Sequence, residues 1–267
     1  MADFNPIGVF DSGLGGLTVV QALRRKLPHE TVIYFGDTAR VPYGNKSPAL
    51  VKTYSREIVE FLITKGAKMI VVACNTASSL ALDDLRESFD IPLIGVIDPG
   101  VEAAINATQT GRIGVIGTRA TIHSGAYEEA LKNQLPSVVV QSKPCPLFVP
   151  LVEEGWIEGD IPDKIVREYL AGINVDGVDT LILGCTHYPL LKSVIRKAVS
   201  PNTTLVDSAE TTATKTETLL KEFGLLSNLE FPGELDCYVS DLPLRFEKVA
   251  RSFLGSPVEN VTKISLH

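Results

Sequence analysis

The sequence predicts an α/β protein made of two pseudo-symmetric α/β domains whose sheets are mainly parallel. Short runs of apolar and β-branched residues alternate with longer segments of helical periodicity. The short runs are apolar throughout, which is typical of parallel strands covered on both faces. Two pairs of segments also resemble each other in the same order along the chain, which indicates a duplicated unit.

The first half of the chain shows the alternation most clearly. Residues 7–10, 31–35 and 69–73 are short apolar runs, which predict three buried strands. Residues 16–26 and 48–65 lie between them and repeat their apolar residues at helical spacing. Strands separated by helices of this length favour a parallel sheet.

The duplication rests on two matches between the halves of the chain. Residues 7–13 resemble residues 113–118 at an offset of 106 positions, and residues 67–76 resemble residues 178–187 at an offset of 111. Any two buried strands resemble each other, but each member of the second pair carries a cysteine just after its apolar run. The matched cysteines make duplication the better interpretation.

The C-terminal segment lies beyond the second repeat and must pack on one of the two units. It contains two helix patterns and one strand pattern, at residues 210–223, 244–254 and 235–239. We expect this segment to return to the first unit. The predicted domains are a discontinuous first domain, residues 1–98 and 208–267, and a second domain, residues 99–207.

Composition and charge exclude several classes of protein. The chain has 267 residues, of which 45% are hydrophobic, enough for two domains of ordinary size. No apolar run approaches the roughly 20 residues of a membrane span, and residues 1–6 lack the features of a signal peptide. The net charge is −7 and the positive charges are dispersed, without the basic patch of a nucleic-acid surface. We expect a cytoplasmic protein with neither a membrane nor a nucleic-acid partner.

The chain contains four cysteines, at positions 74, 145, 185 and 237. In a cytosolic protein they should be reduced. No Cys-x-x-Cys pair occurs, and structural zinc sites usually contain such close pairs of ligands. We therefore expect no metal.

Four motifs follow predicted strands, at the edge where open parallel sheets bind their ligands. They are Asp-Ser-Gly-Leu-Gly-Gly at 11–16, Cys-Asn-Thr-Ala-Ser at 74–78, Gly-Thr-Arg-Ala-Thr at 117–121 and Gly-Cys-Thr-His-Tyr-Pro at 184–189. The first is not a dinucleotide fingerprint, because Thr18 stands where that pattern needs a third glycine, and no Walker motif occurs. Its backbone amides suit a carboxylate, although a tight turn explains the glycines equally well.

Cys74 and Cys185 each directly follow an apolar strand. A thiol at the N-terminus of a helix lies at the positive end of the helix dipole, which favours the thiolate and makes it a competent base. A single buried cysteine is usually inert, but equivalent positions in two repeats would direct both thiols to one shared crevice. The following residues are expected to cap and start the next helices: Asn75, Thr76, Thr186, His187 and Pro189.

Asp11 and His187 are candidate acid–base partners of the two thiols. His187 lies two residues after Cys185, where it could exchange a proton with that thiol. Asp11 ends the first strand, beside the strand that carries Cys74, and could do the same on the opposite side, unless it only caps the next helix. No catalytic context is visible for the remaining cysteines and histidines, Cys145, Cys237, His29, His123 and His267.

The other motif residues are neutral hydrogen-bond donors that suit a small polyanionic substrate. They are Ser12, Tyr43, Asn75, Thr76, Thr118, Thr121 and Thr186, together with backbone amides such as that of Gly44. Ordinary capping and turn formation compete with this interpretation, most strongly at Thr118 and Thr121.

Together these motifs resemble the signatures of the glutamate racemases, within the aspartate/glutamate racemase superfamily. The matching segments are Asp-Ser-Gly-x-Gly-Gly at 11–16, Pro-Tyr-Gly at 42–44, Ala-Cys-Asn-Thr-Ala-Ser at 73–78 and Gly-Cys-Thr-His-Tyr-Pro at 184–189. They occur in that family's order and spacing, and the resemblance spans nearly the whole chain. It implies two α/β domains with the active site in the crevice between them. It also implies interconversion of L- and D-glutamate without pyridoxal phosphate, metal or nucleotide.

The resemblance further implies roles for individual residues. Cys74 would take the α-proton from D-glutamate and Cys185 from L-glutamate, with Asp11 and His187 as auxiliary acid–base partners. The substrate would be held by Ser12, Tyr43, Gly44, Asn75, Thr76 and Thr186. The D-glutamate would supply bacterial peptidoglycan biosynthesis, and thereby cell-wall biogenesis and cell shape.

Several alternatives stay open on the sequence. Glu153 resembles a family acid near the histidine, with the adjacent Glu154 as its alternative. Aspartate racemase acts on a substrate one methylene shorter, and a pocket distinguishes one methylene by only about 1–3 kcal/mol. A two-lobed small-molecule binding protein without catalysis is a second alternative, although binding alone has no need of thiols at both strand ends. The oligomeric state is open, a homodimer included.

Some members of the family carry an N-terminal extension linked to activation by a cell-wall precursor. In this sequence Ile7 already begins the first predicted strand. Nothing visible in the sequence therefore supports activation of that kind.

Overall fold

Strands and helices alternate along the residues that the computed structural model describes, 5–171, 173, 177–258 and 261–266. The strands are β1 (Ile7–Asp11), β2 (Val32–Gly36), β3 (Met69–Val72), β4 (Leu93–Gly95), β5 (Arg112–Gly117), β6 (Val139–Pro144), β7 (Thr180–Gly184), β8 (Thr204–Val206), β9 (Leu235–Val239) and β10 (Val261–Lys263). The helices are α1 (Leu17–Lys26), α2 (Pro48–Thr64), α3 (Asn75–Leu80), α4 (Leu82–Ser88), α5 (Ile97–Ala107), α6 (Arg119–His123), α7 (Ala126–Gln134), α8 (Phe148–Glu153), α9 (Asp160–Leu170), α10 (Lys192–Ala198), α11 (Ala209–Glu222) and α12 (Pro243–Leu254). Short 3₁₀ turns occur at Tyr43–Asn45 and Tyr188–Leu191.

The strands form two parallel sheets. The first sheet has the order β10-β9-β2-β1-β3-β4, and the second has the order β6-β5-β7-β8. In each unit a central strand, β1 or β5, lies between the next two strands of the chain, and a fourth strand, β4 or β8, lies at the edge. All the pairs are parallel. The predicted α/β fold class with two similar units is confirmed.

The equivalent strands account for the internal resemblance in the sequence. The first matched pair of segments forms the central strands β1 and β5, and the second forms β3 and β7, which pair with them. Because these strands are parallel, their carboxyl ends lie at the same edge of each sheet. The two cysteines therefore follow equivalent strands, next to equivalent central strands.

The C-terminal segment extends the first sheet. β9 pairs with β2, and β10 pairs with β9. α11 packs against α1 of the first unit and against α5. β10 is a strand that the sequence analysis did not predict. The domain boundaries at residues 98/99 and 207/208 stay a prediction.

Local sequence explains where the elements begin and end. α2 begins at Pro48, whose fixed backbone suits a first helical position, and the Ser47 hydroxyl accepts a hydrogen bond from the amide of Leu50 at 3.4 Å. Gly66, just beyond the end of this helix, has a φ of +81°, a conformation that favours glycine. β1, β2, β3 and β7 are buried along their whole length, in agreement with their apolar sequences.

Both units contribute to one hydrophobic core. A single cluster of buried side chains contains Leu17 and Tyr34 from the first unit and Leu183 and Tyr188 from the second. This cluster packs the two units against each other. Within the described part of the chain, no helix combines the length and apolar character needed to cross a membrane.

Candidate active site

The segments that follow β1, β3, β5 and β7 meet at a narrow cavity between the two units. The cavity region contains about 340 Å³ of space that no protein atom fills, part of it open to solvent. It is lined by Asp11, Ser12, Val41, Pro42, Tyr43, Gly44, Cys74, Asn75, Thr76, Thr118, Val149, Cys185, Thr186 and His187. The structure thus brings together residues from all four predicted motifs.

A few residues depart from the predicted set. Thr121 is not in the lining, although its hydroxyl contacts that of Thr76 at 3.2 Å. Glu153 lines a second pocket of about 470 Å³, which shares Val41 with the cavity. Val149 was missed, because an apolar residue in a short helix carries no sequence signal for a polar site.

Cys185 begins a chain of three titratable side chains. Its Sγ lies 3.9 Å from Nδ1 of His187, and Nε2 of His187 lies 3.2 Å from Oε1 of Glu153. Cys185 and His187 are buried, whereas the side chain of Glu153 is 22% exposed. The chain therefore leads from the cavity to the neighbouring pocket.

The surroundings of His187 keep its imidazole protonated. Burial by itself lowers the pKa of His187, but the hydrogen bonds to Cys185 and Glu153 and the charges of Cys185 and Asp11 outweigh it and raise the pKa to about 10. A protonated imidazole beside a thiol stabilises the thiolate. Around neutral pH, the Cys185 side of the cavity thus contains the imidazolium of His187 beside the thiol.

Cys74 lies in a different environment. It directly precedes α3, and the nearby Ala77 amide and Ser12 hydroxyl favour its thiolate. Burial, with a contribution from the charge of Asp11, nevertheless raises the pKa of the Cys74 thiol well above its ordinary value. The start of α3 favours the thiolate of Cys74 through the Ala77 amide, as expected, but burial and the charge of Asp11 outweigh this effect.

The chain after Cys185 also differs from the prediction. Instead of an α-helix, a 3₁₀ turn follows, with the amide of Tyr188 bonded to the Cys185 carbonyl at 3.0 Å and that of Leu190 to His187 at 3.1 Å. Pro189 has no N–H to offer the Cys185 carbonyl four residues earlier, so the α-helical pattern cannot begin there. α10 begins only at Lys192.

Asp11 ends β1 next to the strand that carries Cys74. It is 1% exposed, and its Oδ2 accepts a hydrogen bond from the amide of Gly13 at 3.1 Å. α1 has no side-chain cap, so Asp11 orders the glycine loop and does not cap the helix. Its carboxylate lines the cavity, where its charge acts on both Cys74 and His187.

The glycine loop also packs directly on the second cysteine motif. A Cβ at Gly15 would lie 2.3 Å from Oγ1 of Thr186 and 2.4 Å from Nδ1 of His187. The Thr18 hydroxyl reaches the Thr186 carbonyl at 3.4 Å. Gly15 thus permits a close approach between the units, a role that neither the turn nor the anion-binding interpretation of the sequence included.

Three threonine hydroxyls form a ring across the two units. Oγ1 of Thr76 lies 2.9 Å from that of Thr118 and 3.2 Å from that of Thr121, and the last two are 3.0 Å apart. The predicted helix capping by Thr76 does not occur, because its hydroxyl bonds across the cavity wall. Capping does occur at Thr118, which accepts from the amide of Thr121 at 3.2 Å.

Asn75 does not cap α3 either. Its Nδ2 donates to the hydroxyl of Tyr127 at 2.7 Å, a partner on α7 that the sequence did not indicate. Its Oδ1 is buried and has no hydrogen-bond partner among the described residues. A buried acceptor at the wall of a cavity, left without a donor, suits a ligand that brings one.

The remaining cysteines and histidines lie outside the cavity lining. Cys237 lies within β9 and Cys145 follows β6, and neither strand is the counterpart of β3 or β7. Cys145 lies behind the cavity wall, where its carbonyl accepts from the Tyr188 hydroxyl at 2.8 Å. His29 contacts the carbonyl of Phe231 at the surface, His123 ends α6, and His267 lies outside the described residues. Among the described residues, no group of three or more acidic, cysteine or histidine side chains could hold a metal.

The fold and the paired thiols correspond to a known class of isomerases. The family model described as Asp/Glu/Hydantoin racemase matches residues 17–216. The chain belongs to this family and is therefore an isomerase. This membership replaces the alternative of a binding protein without catalysis.

Individual relatives are similar over almost the whole chain. A glutamate racemase of Geobacter metallireducens is 50% identical over 97% of this chain and 96% of its own length. A solved glutamate racemase structure from Bacillus anthracis has a TM-score of 0.95 at 41% identity, and it covers 99% of this chain and 98% of that one. A Francisella tularensis glutamate racemase, solved in complex with D-glutamate, has a TM-score of 0.93 at 42% identity with the same coverage.

Proposed function

We propose that this protein is a glutamate racemase that interconverts L- and D-glutamate, without a cofactor, through Cys74 and Cys185. One observation carries the proposal. The two thiols follow equivalent strands of two equivalent units and line the same narrow cavity. The names of the relatives support glutamate as the substrate.

The unequal surroundings of the two thiols favour one arrangement of protons in the enzyme when L-glutamate binds. With His187 protonated, Cys185 as a thiolate removes the α-proton from one face and becomes a thiol. Cys74, a thiol in this cavity, gives its proton to the opposite face and becomes a thiolate. The reaction of D-glutamate runs the same steps in reverse, with Asp11 assisting Cys74 and Glu153 supporting His187.

The polar residues of the cavity suit the three charged groups of glutamate. The unpartnered Oδ1 of Asn75 would accept from the substrate ammonium. Hydroxyl and amide donors would hold the carboxylates and stabilise the negative charge that develops as the α-proton leaves. These donors are the hydroxyls of Ser12, Thr76, Thr118 and Thr186 and the backbone amides of Tyr43 and Gly44.

The proposed biological role is the supply of D-glutamate for peptidoglycan synthesis in the bacterial cytoplasm. Its support is the similarity to bacterial glutamate racemases along nearly the full chain. We also propose that the domains divide at residues 98/99 and 207/208, because β9 and β10 extend the first sheet.

Isotope incorporation tests the two-thiol reaction. In heavy water, with L-glutamate and no added cofactor, the D-glutamate formed early should carry deuterium at its α-carbon, while the remaining L-glutamate should carry little. Cys74 exchanges with solvent before it delivers its proton, whereas Cys185 keeps the hydrogen that it removes. The measurement is the α-deuterium content of each separated enantiomer at low conversion, repeated from D-glutamate.

Two outcomes would contradict the proposal in different ways. D-Glutamate that mostly retains the original α-hydrogen would point to a single base that reaches both faces. Racemisation of L-aspartate faster than L-glutamate in the same assay would assign the substrate to the alternative, aspartate. Deuterium in the recovered L-glutamate would not by itself contradict the two-thiol reaction, since Cys185 can exchange its hydrogen with solvent before it returns it to the substrate.

Replacing Glu153 by glutamine should move the alkaline limb of the pH profile for L-glutamate to lower pH. The hydrogen bond that His187 donates to the Glu153 carboxylate raises the pKa of His187, so loss of the carboxylate lets His187 lose its proton at a lower pH. The measurement is kcat/KM for L-glutamate against pH, which reports ionisations of the free enzyme. Glu154→Gln is the matched control and should leave the limb in place. If the alkaline limb stays in place in Glu153→Gln, or shifts equally in both variants, Glu153 does not raise the pKa of His187 during the reaction.

A further inference from the structure

A fully buried carboxylate lies behind the part of the cavity wall formed by Tyr43 and Gly44. Asp37 follows β2, is 0% exposed and is not part of the cavity lining. Its Oδ2 accepts from the phenol of Tyr43 at 2.5 Å and from Nε of Arg40 at 2.7 Å. Its Oδ1 accepts from the Ser240 hydroxyl at 2.8 Å. A buried carboxylate that receives three donors holds each of them in place.

Further contacts make this arrangement rigid. The guanidinium of Arg40 also pairs with Glu57 of α2 and lies 4.1 Å from the centre of the Tyr54 ring. The Ser240 hydroxyl in turn accepts from the amide of Ala39 at 2.8 Å. Asp37 therefore joins the segment before Tyr43 to α2 and to the residue that follows β9.

The phenol of Tyr43 donates its only hydrogen to the carboxylate of Asp37. Burial and the charge of Asp37 both raise the pKa of Tyr43, so the phenol remains a protonated donor. Because its hydrogen goes to Asp37, Tyr43 can contribute its ring and backbone to the cavity but not a hydroxyl donor. This corrects the role that the sequence suggested for it.

Close packing leaves little freedom to the position of the turn that begins at Tyr43. Tyr43–Asn45 is a single 3₁₀ turn, and a Cβ at Gly44 would lie 2.7 Å from Cβ of Thr118 in the second unit. A displacement of about 1 Å at a substrate site can cost roughly 100-fold in rate. The side of the turn that faces away from the cavity is held by Asp37 through Tyr43.

We propose that Asp37 is a positioning residue for substrate binding: by holding the phenol of Tyr43, it places the backbone of Tyr43 and Gly44 against the substrate. This inference rests on the proposed function. Asp37 itself does not touch the reacting atoms. Its effect should therefore appear in the binding of glutamate more than in the proton transfers.

The test compares Asp37→Asn, Tyr43→Phe and the double variant with wild type in glutamate racemisation. Each single variant should raise KM by about tenfold, the size expected for one hydrogen bond to a charged group, with a smaller change in kcat. The double variant should be no worse than either single variant, because both changes remove the same interaction. Asp84→Asn is the matched control, since it removes a carboxylate that pairs with Arg56 of α2 outside the Asp37 arrangement, and it should keep the wild-type KM.

A merely structural role would lower the melting temperature and the active fraction, and hence kcat, without raising KM. A wild-type KM in Tyr43→Phe overturns the proposal, even if Asp37→Asn fails to fold. Additive effects in the double variant overturn it as well, because Asp37 would then act through another residue. If the wild-type protein does not racemise glutamate, the proposed function is wrong. That result differs from an unchanged KM in Tyr43→Phe, so the failure of each proposal can be recognised separately.

Discussion

Replacement of either Cys74 or Cys185 by serine is expected to lower the rate of glutamate racemisation by about 10²- to 10⁴-fold, the usual contribution of one acid–base group. Each turnover needs one thiol to remove the α-proton and the other to return a proton. A serine hydroxyl is too weak an acid and base for either step at neutral pH. The measurement is the initial loss of optical activity, from L-glutamate and separately from D-glutamate.

The other two cysteines provide the control for this experiment. Cys145→Ser and Cys237→Ser should remain active, because neither side chain lines the cavity, although both are buried. Elimination from a glutamate that bears a leaving group needs only one base. Cys185→Ser should therefore still eliminate from the D-enantiomer, and Cys74→Ser from the L-enantiomer. Near-normal racemisation by either serine variant would remove that cysteine from the mechanism.

Replacement of Gly15 by alanine is expected to lower kcat/KM by about 100-fold, the size of effect that a misplacement of roughly 1 Å produces at a catalytic site. The added methyl would meet Thr186 and His187 at 2.3 and 2.4 Å, far inside van der Waals contact. Both side chains are buried, so they can yield only by displacing the histidine from Cys185 or the two units from each other. The measurement is kcat/KM in both directions, with the melting temperature of the same preparation.

Gly100→Ala is the matched control for this substitution. Gly100 lies within α5, and its added Cβ would meet its nearest neighbours at 3.4 Å, which is ordinary contact. Alanine also favours a helix over glycine. This variant should keep its activity, whereas a Gly15→Ala protein within a few-fold of wild type would show that the close approach has no catalytic importance.

The strands, the helices and the cysteine pair could be predicted because each depends on the pattern of residues within a short stretch of sequence. β3 and β7 are apolar along their whole length, and a cysteine follows each at an equivalent position. Parallel pairing then brings the ends of such strands to one edge of a sheet. The predicted strand and helix boundaries in the first unit lie within about one residue of those observed.

Partners that are distant in sequence could not be predicted. Nothing near Tyr43 indicates that its phenol donates to Asp37, and nothing near Gly15 indicates that it packs on His187. Asn75 and Thr76 have the composition of a helix cap, but their side chains bond to α7 and to the second unit. Tertiary contacts, which exist only after the two units come together, therefore override the local preference of these two residues for helix capping.

The sequence by itself determined the α/β class, the duplicated unit and the two thiols at matching strand ends, because periodicity and spacing are local properties of the chain. Only the tertiary structure decided how the two thiols differ. Burial raises the pKa of Cys74, whereas Cys185 lies beside a His187 that Glu153 helps to keep protonated. Desolvation and charge depend on which distant groups surround a side chain, and no pattern within a single strand or helix contains that information.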